Sequence, residues 1–225
     1  MEHRLLRLLS DQISETTSIL GNLPLRSYVP VDLSVHNGSL DQTDISDPME
    51  CKSFLESVLA GTDGLVAYGG YLEQRKLYAR NLHFTAKESV RDIHLGMDFW
   101  AREGTEVVVP FEGKVHSFRN NATLGDYGPT IILEHMIGEE RFHTLYGHLS
   151  IESLQGLYRG KGFKKGDRLG FLGTTDINVN YAPHLHFQIV VDLQGKSGDY
   201  PGVCAMEHLG FYAHNSPDPN LLLKM

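Results

Sequence analysis

Three short stretches limit what this chain can fold into: His94-Leu-Gly-Met-Asp98, Tyr146-Gly-His148-Leu149 and Pro183-His184-Leu-His186-Phe187. They carry five side chains able to bind a metal or move a proton, drawn from distant parts of the sequence. In His184-Leu-His186 the histidines are two apart within an apolar run. In a strand both rings leave the same face, while Leu185 turns to the other, towards a core. Two adjacent imidazoles are costly when both are charged, and useful when one binds metal and the other takes a proton. His94 and Asp98 are four apart. Along one straight strand they would lie roughly 13 Å apart, at about 3.3 Å per residue, too far to share an ion. Gly96 lets the chain bend between them, which predicts a strand–turn–strand corner. A borderline-soft divalent ion such as zinc takes imidazole and carboxylate ligands, and a hydrolytic centre also needs an open position and nearby bases. Three ligands and two further histidines make up that inventory.

The rest of the chain supplies a mainly β frame. Leu65–Tyr68, Thr105–Pro110, Gly113–Phe118, Thr130–Leu133, Phe142–Tyr146 and Leu185–Val191 are short β-branched or aromatic runs, several separated by glycine-containing turns. That cadence predicts antiparallel strands rather than alternating βαβ units. Leu5, Leu6, Leu8, Leu9, Ile13 and Leu20 mark a helical stripe, stopped at Gly21-Asn22-Leu-Pro24. Asp47-Pro48 has the form of an N-cap and first helical residue, followed by Phe54, Leu55, Val58 and Leu59, with Gly61 as the stop. Residues 25–46 read as a loop or extended arm. One helical interruption is expected over Ile151–Leu157. The division is a helical N-terminal extension over 1–62 and a β-rich domain over 63–225.

The chain has 225 residues, 41% of them hydrophobic, and a net charge of −8. That balance argues against nucleic acid or an anionic membrane surface as the main partner. Cys51 and Cys204 form no CxxC pair and read as buried thiols of a reducing compartment, with a bridge between them as the alternative. Arg7 interrupts the N-terminal apolar run and Ser10-Asp-Gln12 ends it, unlike a signal peptide. No stretch has the apolar length of a membrane span. The expectation is a cytoplasmic protein, with export by another route as the alternative. Oligomeric state is not legible.

The three stretches resemble the lysostaphin-type (LytM-like) zinc metallopeptidases. Gly104-Thr-Glu-Val107, Gly113-Lys-Val115, Tyr127-Gly-Pro-Thr-Ile-Ile-Leu-Glu-His135, Thr144-Leu-Tyr-Gly-His148-Leu and Lys165-Gly-Asp-Arg-Leu-Gly170 extend the likeness over roughly residues 91–192. The resemblance implies a compact antiparallel LytM-like sheet domain with a groove across one zinc ion. It implies His94, Asp98 and His186 as metal ligands, and His148 and His184 as the catalytic histidines that activate water and stabilise the oxyanion. The implied activity is that of a zinc metalloendopeptidase on short peptide cross-links of the peptidoglycan type, with a peptide or muropeptide substrate. His135 matches a position usually structural in the family, and His116 and His143 fall in strand-like runs. His3, His36, His83, His208 and His214 lie outside the motifs. Tyr127, in the loop Gly125-Asp-Tyr-Gly128, either lines the groove or closes over the core.

Two residues depart from the family pattern. Ala182 stands where a glycine is common, and Gln188 where an acidic residue often follows the phenylalanine. Neither removes a ligand, and both bear on the groove and hence on the substrate. The flanks Gly69–Tyr78, Gly198–Val203 and Ser216–Leu223 look like a LytM-type subgroup also found fused to other domains in intracellular proteins. The alternatives are a non-hydrolytic ligand-binding or regulatory module on the same fold, or a zinc hydrolase of an intracellular amide metabolite. The N-terminal segment is either a lid over the groove or a structural brace.

Overall fold

The computed structural model describes residues 2–13, 17–21, 23–78, 90–178 and 181–225. The N-terminal part holds helix α1 (Glu2–Gln12), strand β1 (Tyr28–Pro30), helix α2 (Pro48–Leu59) and strand β2 (Val66–Gly69). Strands β3 (Ile93–His94), β4 (Met97–Trp100), β5 (Glu106–Val108), β6 (Gly113–Asn121), β7 (Gly128–Ile137) and β8 (Glu140–Gly147) follow. Then come β9 (Gly162–Phe163), β10 (Arg168–Phe171), β11 (His184–Val190) and β12 (Val203–Cys204), and finally the short helices α3 (Leu209–Asn215) and α4 (Asn220–Leu223).

Eight strands form one sheet in the order β1-β2-β4-β11-β8-β7-β6-β9. Its pairs are antiparallel except β1 with β2. Two small ribbons, β5 with β10 and β3 with β12, complete the strands. The mainly β, antiparallel fold expected from the short runs is what forms. Alternation explains how the strands pack: in β11, Leu185, Phe187 and Ile189 are fully buried together in the main core with Phe99, Ile131, Leu133 and Tyr146. No helix among the described residues is long and apolar enough to cross a membrane. Cys51 and Cys204 are buried free thiols.

The two expected N-terminal helices form, with differences. Asp47 caps α2 through its carboxylate, which accepts from the backbone N–H groups of Met49 and Glu50. Leu5 and Leu9 of α1 join the main core, a four-residue spacing that keeps them on one face, and Ile13 just beyond the helix joins them. The helix ends at Gln12, well short of the predicted stop. Ser14-Glu-Thr-Thr-Ser18 follows in the sequence, a run rich in residues of low helix propensity. Leu20 instead bridges Val107 in extended backbone. The arm over residues 25–46 contributes β1, which lies parallel to β2 with Tyr28 opposite Val66. The predicted helix at Ile151–Leu157 shrinks to a 3-10 turn over Ile151–Leu154, because Gly156 at φ +66° turns the chain away. The C-terminal helices α3 and α4 were not anticipated.

Candidate metal centre and active site

The register of β11 assembles the site. His186 lies opposite Asp98 of β4, and His184 opposite Trp100. On its other side His186 lies opposite Gly147 of β8, the residue before His148. The corner predicted at Gly96 forms between β3 and β4, bringing His94 Nε2 to 3.2 Å from Asp98 Oδ1. The reason for glycine there is space, not a left-handed turn. A Cβ on Gly96 would lie 2.7 Å from His186 Cε1 and 2.7 Å from the Phe187 carbonyl oxygen.

His94 Nε2, Asp98 Oδ1 and His186 Nδ1 form a small triangle. The two nitrogens are 2.9 Å apart, and His186 Nδ1 is 3.2 Å from the carboxylate oxygen. The hydrogen bonds behind the rings decide which atoms carry protons. His94 Nδ1 lies 2.8 Å from the Gly70 carbonyl, so it is the N–H and Nε2 is a lone pair. Gln188 donates its amide to the Pro201 carbonyl and Ser216 Oγ, which leaves its Oε1 facing His186 Nε2 at 3.0 Å. His186 Nε2 is therefore the N–H and Nδ1 the lone pair. Two lone pairs and a carboxylate oxygen at about 3 Å repel one another without a cation between them. Ligands about 2.0 Å from a tetrahedral zinc are separated by about 3.3 Å, close to this triangle. The three residues can hold a metal ion.

Gln188 is fully buried and corrects the expectation drawn from its sequence. It does not line the groove but fixes the tautomer of His186. Ala182 does line the cavity, and its carbonyl accepts the His184 Nδ1 proton at 2.7 Å. That bond turns His184 Nε2 towards the triangle, 3.9 Å from Asp98 Oδ1. The His148 ring lies 4.1 Å from that of His184, centroid to centroid. His148 occupies left-handed backbone at φ +61°, at a cost of order 1 kcal/mol for a non-glycine residue. Its N–H to the Tyr127 carbonyl and its own carbonyl's bond from Gly173 hold it there. Its buried Nδ1 has no hydrogen-bond partner among the described residues.

These five residues open on a cavity of about 270 Å³. Tyr127 both lines it and packs in a core cluster with Tyr200, so each of its two sequence readings describes part of its position. Sequence reasoning missed Trp100, whose ring stacks on His184 at 5.7 Å, and Tyr181, edge-on to His148 at 5.5 Å. Leu33, Ile45, Pro48 and Cys51, from the N-terminal part, form an apolar wall. His135 is structural, bonding the Glu112 carbonyl and Thr144. His143 is buried against His116, away from the cavity. His83 and the His3 side chain lie outside the described residues.

Burial sets the protonation states. It pushes His94 down to about 4, helped by Arg75 and opposed by Asp98. Burial also lowers His184 and, together with the adjacent His184 and His186, holds His148 well below the ordinary histidine range. Burial alone would raise the Asp98 carboxyl, but its neighbours His94 and the Arg75 guanidinium outweigh it and hold it well below the ordinary carboxylate range. His135 and His143 are likewise pushed to about 4 by burial. All these histidines bind protons more readily unfolded, where the value is about 6.5. Their stability contribution is present above pH 6.5 and lost as pH falls towards 4. With His94, His135 and His143 each differing by nearly one proton at pH 5, the slope there is on the order of 3 kcal/mol per pH unit. Urea titrations of chelator-treated protein between pH 4.5 and 7 measure it; a flat profile would contradict this account.

Residues 92–199 match the model of peptidase family M23. The likeness to peptidase family M23 is confined to this stretch, just under half of the chain. The five site residues fall within it. A Haemophilus influenzae protein described as an uncharacterized metalloprotease is 34% identical to the chain over 99 residues, 44% of this chain and 19% of that protein. The chain therefore spans about a fifth of that relative's length. The catalytic domain of lysostaphin, an antimicrobial peptidase from Staphylococcus simulans, is similar in structure, with 23% identity and a TM-score of 0.38 over 64% of this chain and 87% of that one. A zinc-containing peptidase from Vibrio cholerae gives 26% identity and a TM-score of 0.35 over 48% of this chain and 29% of that one. The matched stretch begins just before β3, so α1, β1, α2 and β2 precede it.

Proposed function

We propose that this chain is a zinc-dependent endopeptidase that hydrolyses short peptide cross-links of the peptidoglycan type, with His94, Asp98 and His186 as zinc ligands. The observation carrying this reading is the convergence of two imidazole lone pairs and one carboxylate oxygen, each fixed from behind by a second hydrogen bond or ion pair. Zinc held there would acidify water and polarise a scissile carbonyl. His184 stays neutral through its burial, so its Nε2 can accept a proton from water. His148 is neutral too, and one ring nitrogen carries a proton it can donate to the developing oxyanion. The apolar wall of Leu33, Ile45, Pro48 and Cys51 lines one side of a cavity of about 270 Å³, a size that supports a short peptide as substrate.

The test is to measure the metal content of purified protein and incubate it with peptidoglycan, muropeptides and oligoglycine. Cleavage is expected, with loss of at least 100-fold in rate after chelation and recovery on adding zinc. Stoichiometric zinc with no cleavage of any of these would overturn the peptidase reading in favour of a binding module.

A further inference from the structure

The carboxylate at the centre of the site is gripped from outside the stretch that matches peptidase family M23. Arg75 lies in the flank Gly69–Tyr78 and its side chain is fully buried. One nitrogen pairs with Asp98 Oδ2 at 2.5 Å, and its Nε pairs with Glu73. The guanidinium also lies 5.5 Å from the centre of the Trp100 ring, the ring that stacks on His184. The flank is pinned against β3. Leu72 N–H bonds the His94 carbonyl, His94 N–H the Glu73 carbonyl, and Arg75 N–H the Asp92 carbonyl. Gly70 makes room, because a Cβ there would lie 1.8 Å from Arg75 Nη2, and its carbonyl orients His94. One short segment thus positions two of the three metal-facing groups.

A carboxylate can give a metal one oxygen or both. With Oδ2 committed to a charge-assisted bond, Asp98 has only Oδ1 to offer. We infer that Arg75 is a positioning residue that keeps Asp98 a one-oxygen ligand and so preserves an open coordination position for the reaction. This rests on the reading of His94, Asp98 and His186 as a metal centre. Arg75 adds nothing to metal affinity by charge, since a cation beside a cation opposes binding. Its role is to set how the metal is held.

The test is Arg75→Gln, loaded with Co2+ in place of zinc. The visible absorption of Co2+ reports coordination number: four-coordinate ions absorb strongly and five-coordinate ions weakly. Arg75→Gln is expected to bind Co2+ at least as tightly as the parent, with weaker visible bands, and to lose 10- to 100-fold in kcat with little change in KM. Arg75→Lys keeps the buried charge and protects the fold, but one ammonium cannot span Glu73 and Asp98 as a planar fork does. It should show the same spectral change to a smaller degree, so the proposal stays testable if Arg75→Gln does not fold. An unchanged cobalt spectrum in the folded variant overturns the proposal. So does loss of metal affinity and activity together, which would make Arg75 a general brace. A parent protein that takes up no cobalt overturns the metal centre itself, whereas cobalt binding without peptidase activity overturns only the function proposed above.

Discussion

His184→Ala is expected to leave zinc bound at one ion per chain and to cut kcat/KM by about 10²- to 10⁴-fold, the usual worth of a positioned general base. The separation follows from geometry. His184 Nε2 lies 3.9 Å from Asp98 Oδ1, beside the triangle rather than in it. The three metal-facing atoms keep their outer partners at Gly70, Arg75 and Gln188 when the ring is removed. Metal analysis and steady-state kinetics on the same preparation decide it. Stoichiometric zinc loss would mean that ligand and base have been exchanged in this assignment. Circular dichroism guards against a trivial result, because the substitution also removes the stack on Trp100.

The second large effect is predicted at a residue with no chemistry of its own. Gly96→Ala would place a methyl group 2.7 Å from His186 Cε1, 2.8 Å from its Nε2 and 2.7 Å from the Phe187 carbonyl oxygen. Backbone cannot yield easily in a sheet paired on both sides, so the His186 ring must move. Overpacking of this kind costs about 1–3 kcal/mol in stability. A displaced ligand that loses its outer hydrogen bond costs about 10- to 100-fold in metal affinity. A zinc-competition titration and a thermal melt of the metal-free protein read the two effects apart. Normal affinity with a normal melting temperature would show that the ring has room the structure does not give it.

The five candidate site residues are legible in the sequence because their signals are local. Alternation puts His184 and His186 on one face of β11, and that same rule extends to Gln188, the next position on that face. Its partnership with His186 could have been read from the spacing, but the family pattern drew attention to the groove instead. The short β-branched runs located the central strands for the same reason: each records its own burial. What escaped the sequence is non-local. Arg75 is 23 residues from Asp98, and nothing periodic links them; only the likeness of the Gly69–Tyr78 flank to a LytM-type subgroup marks the segment. The end of α1 escaped because tertiary pairing of Ile19 and Leu20 with β5 overrides the apolar stripe. Gly96 is legible as the pivot through its conformational freedom, whereas the crowding that demands it comes from His186 and Phe187 on a strand distant in sequence.

The outermost strands of the large sheet have a bearing on how the protein behaves among its own copies. A sheet margin offers unpaired backbone groups on which a foreign strand can grow. Here one margin is the three-residue Tyr28–Pro30, closed by a proline and too short to serve as a template. At the other, Gly162–Phe163 pairs only with Gly113 and Lys114 of β6. Behind the first lies β2, whose Val66 and Ala67 are wholly shielded. Stripping away the N-terminal segment would turn that apolar strand into an adhesive rim, so the segment that walls the cavity also keeps neighbouring molecules from zipping together.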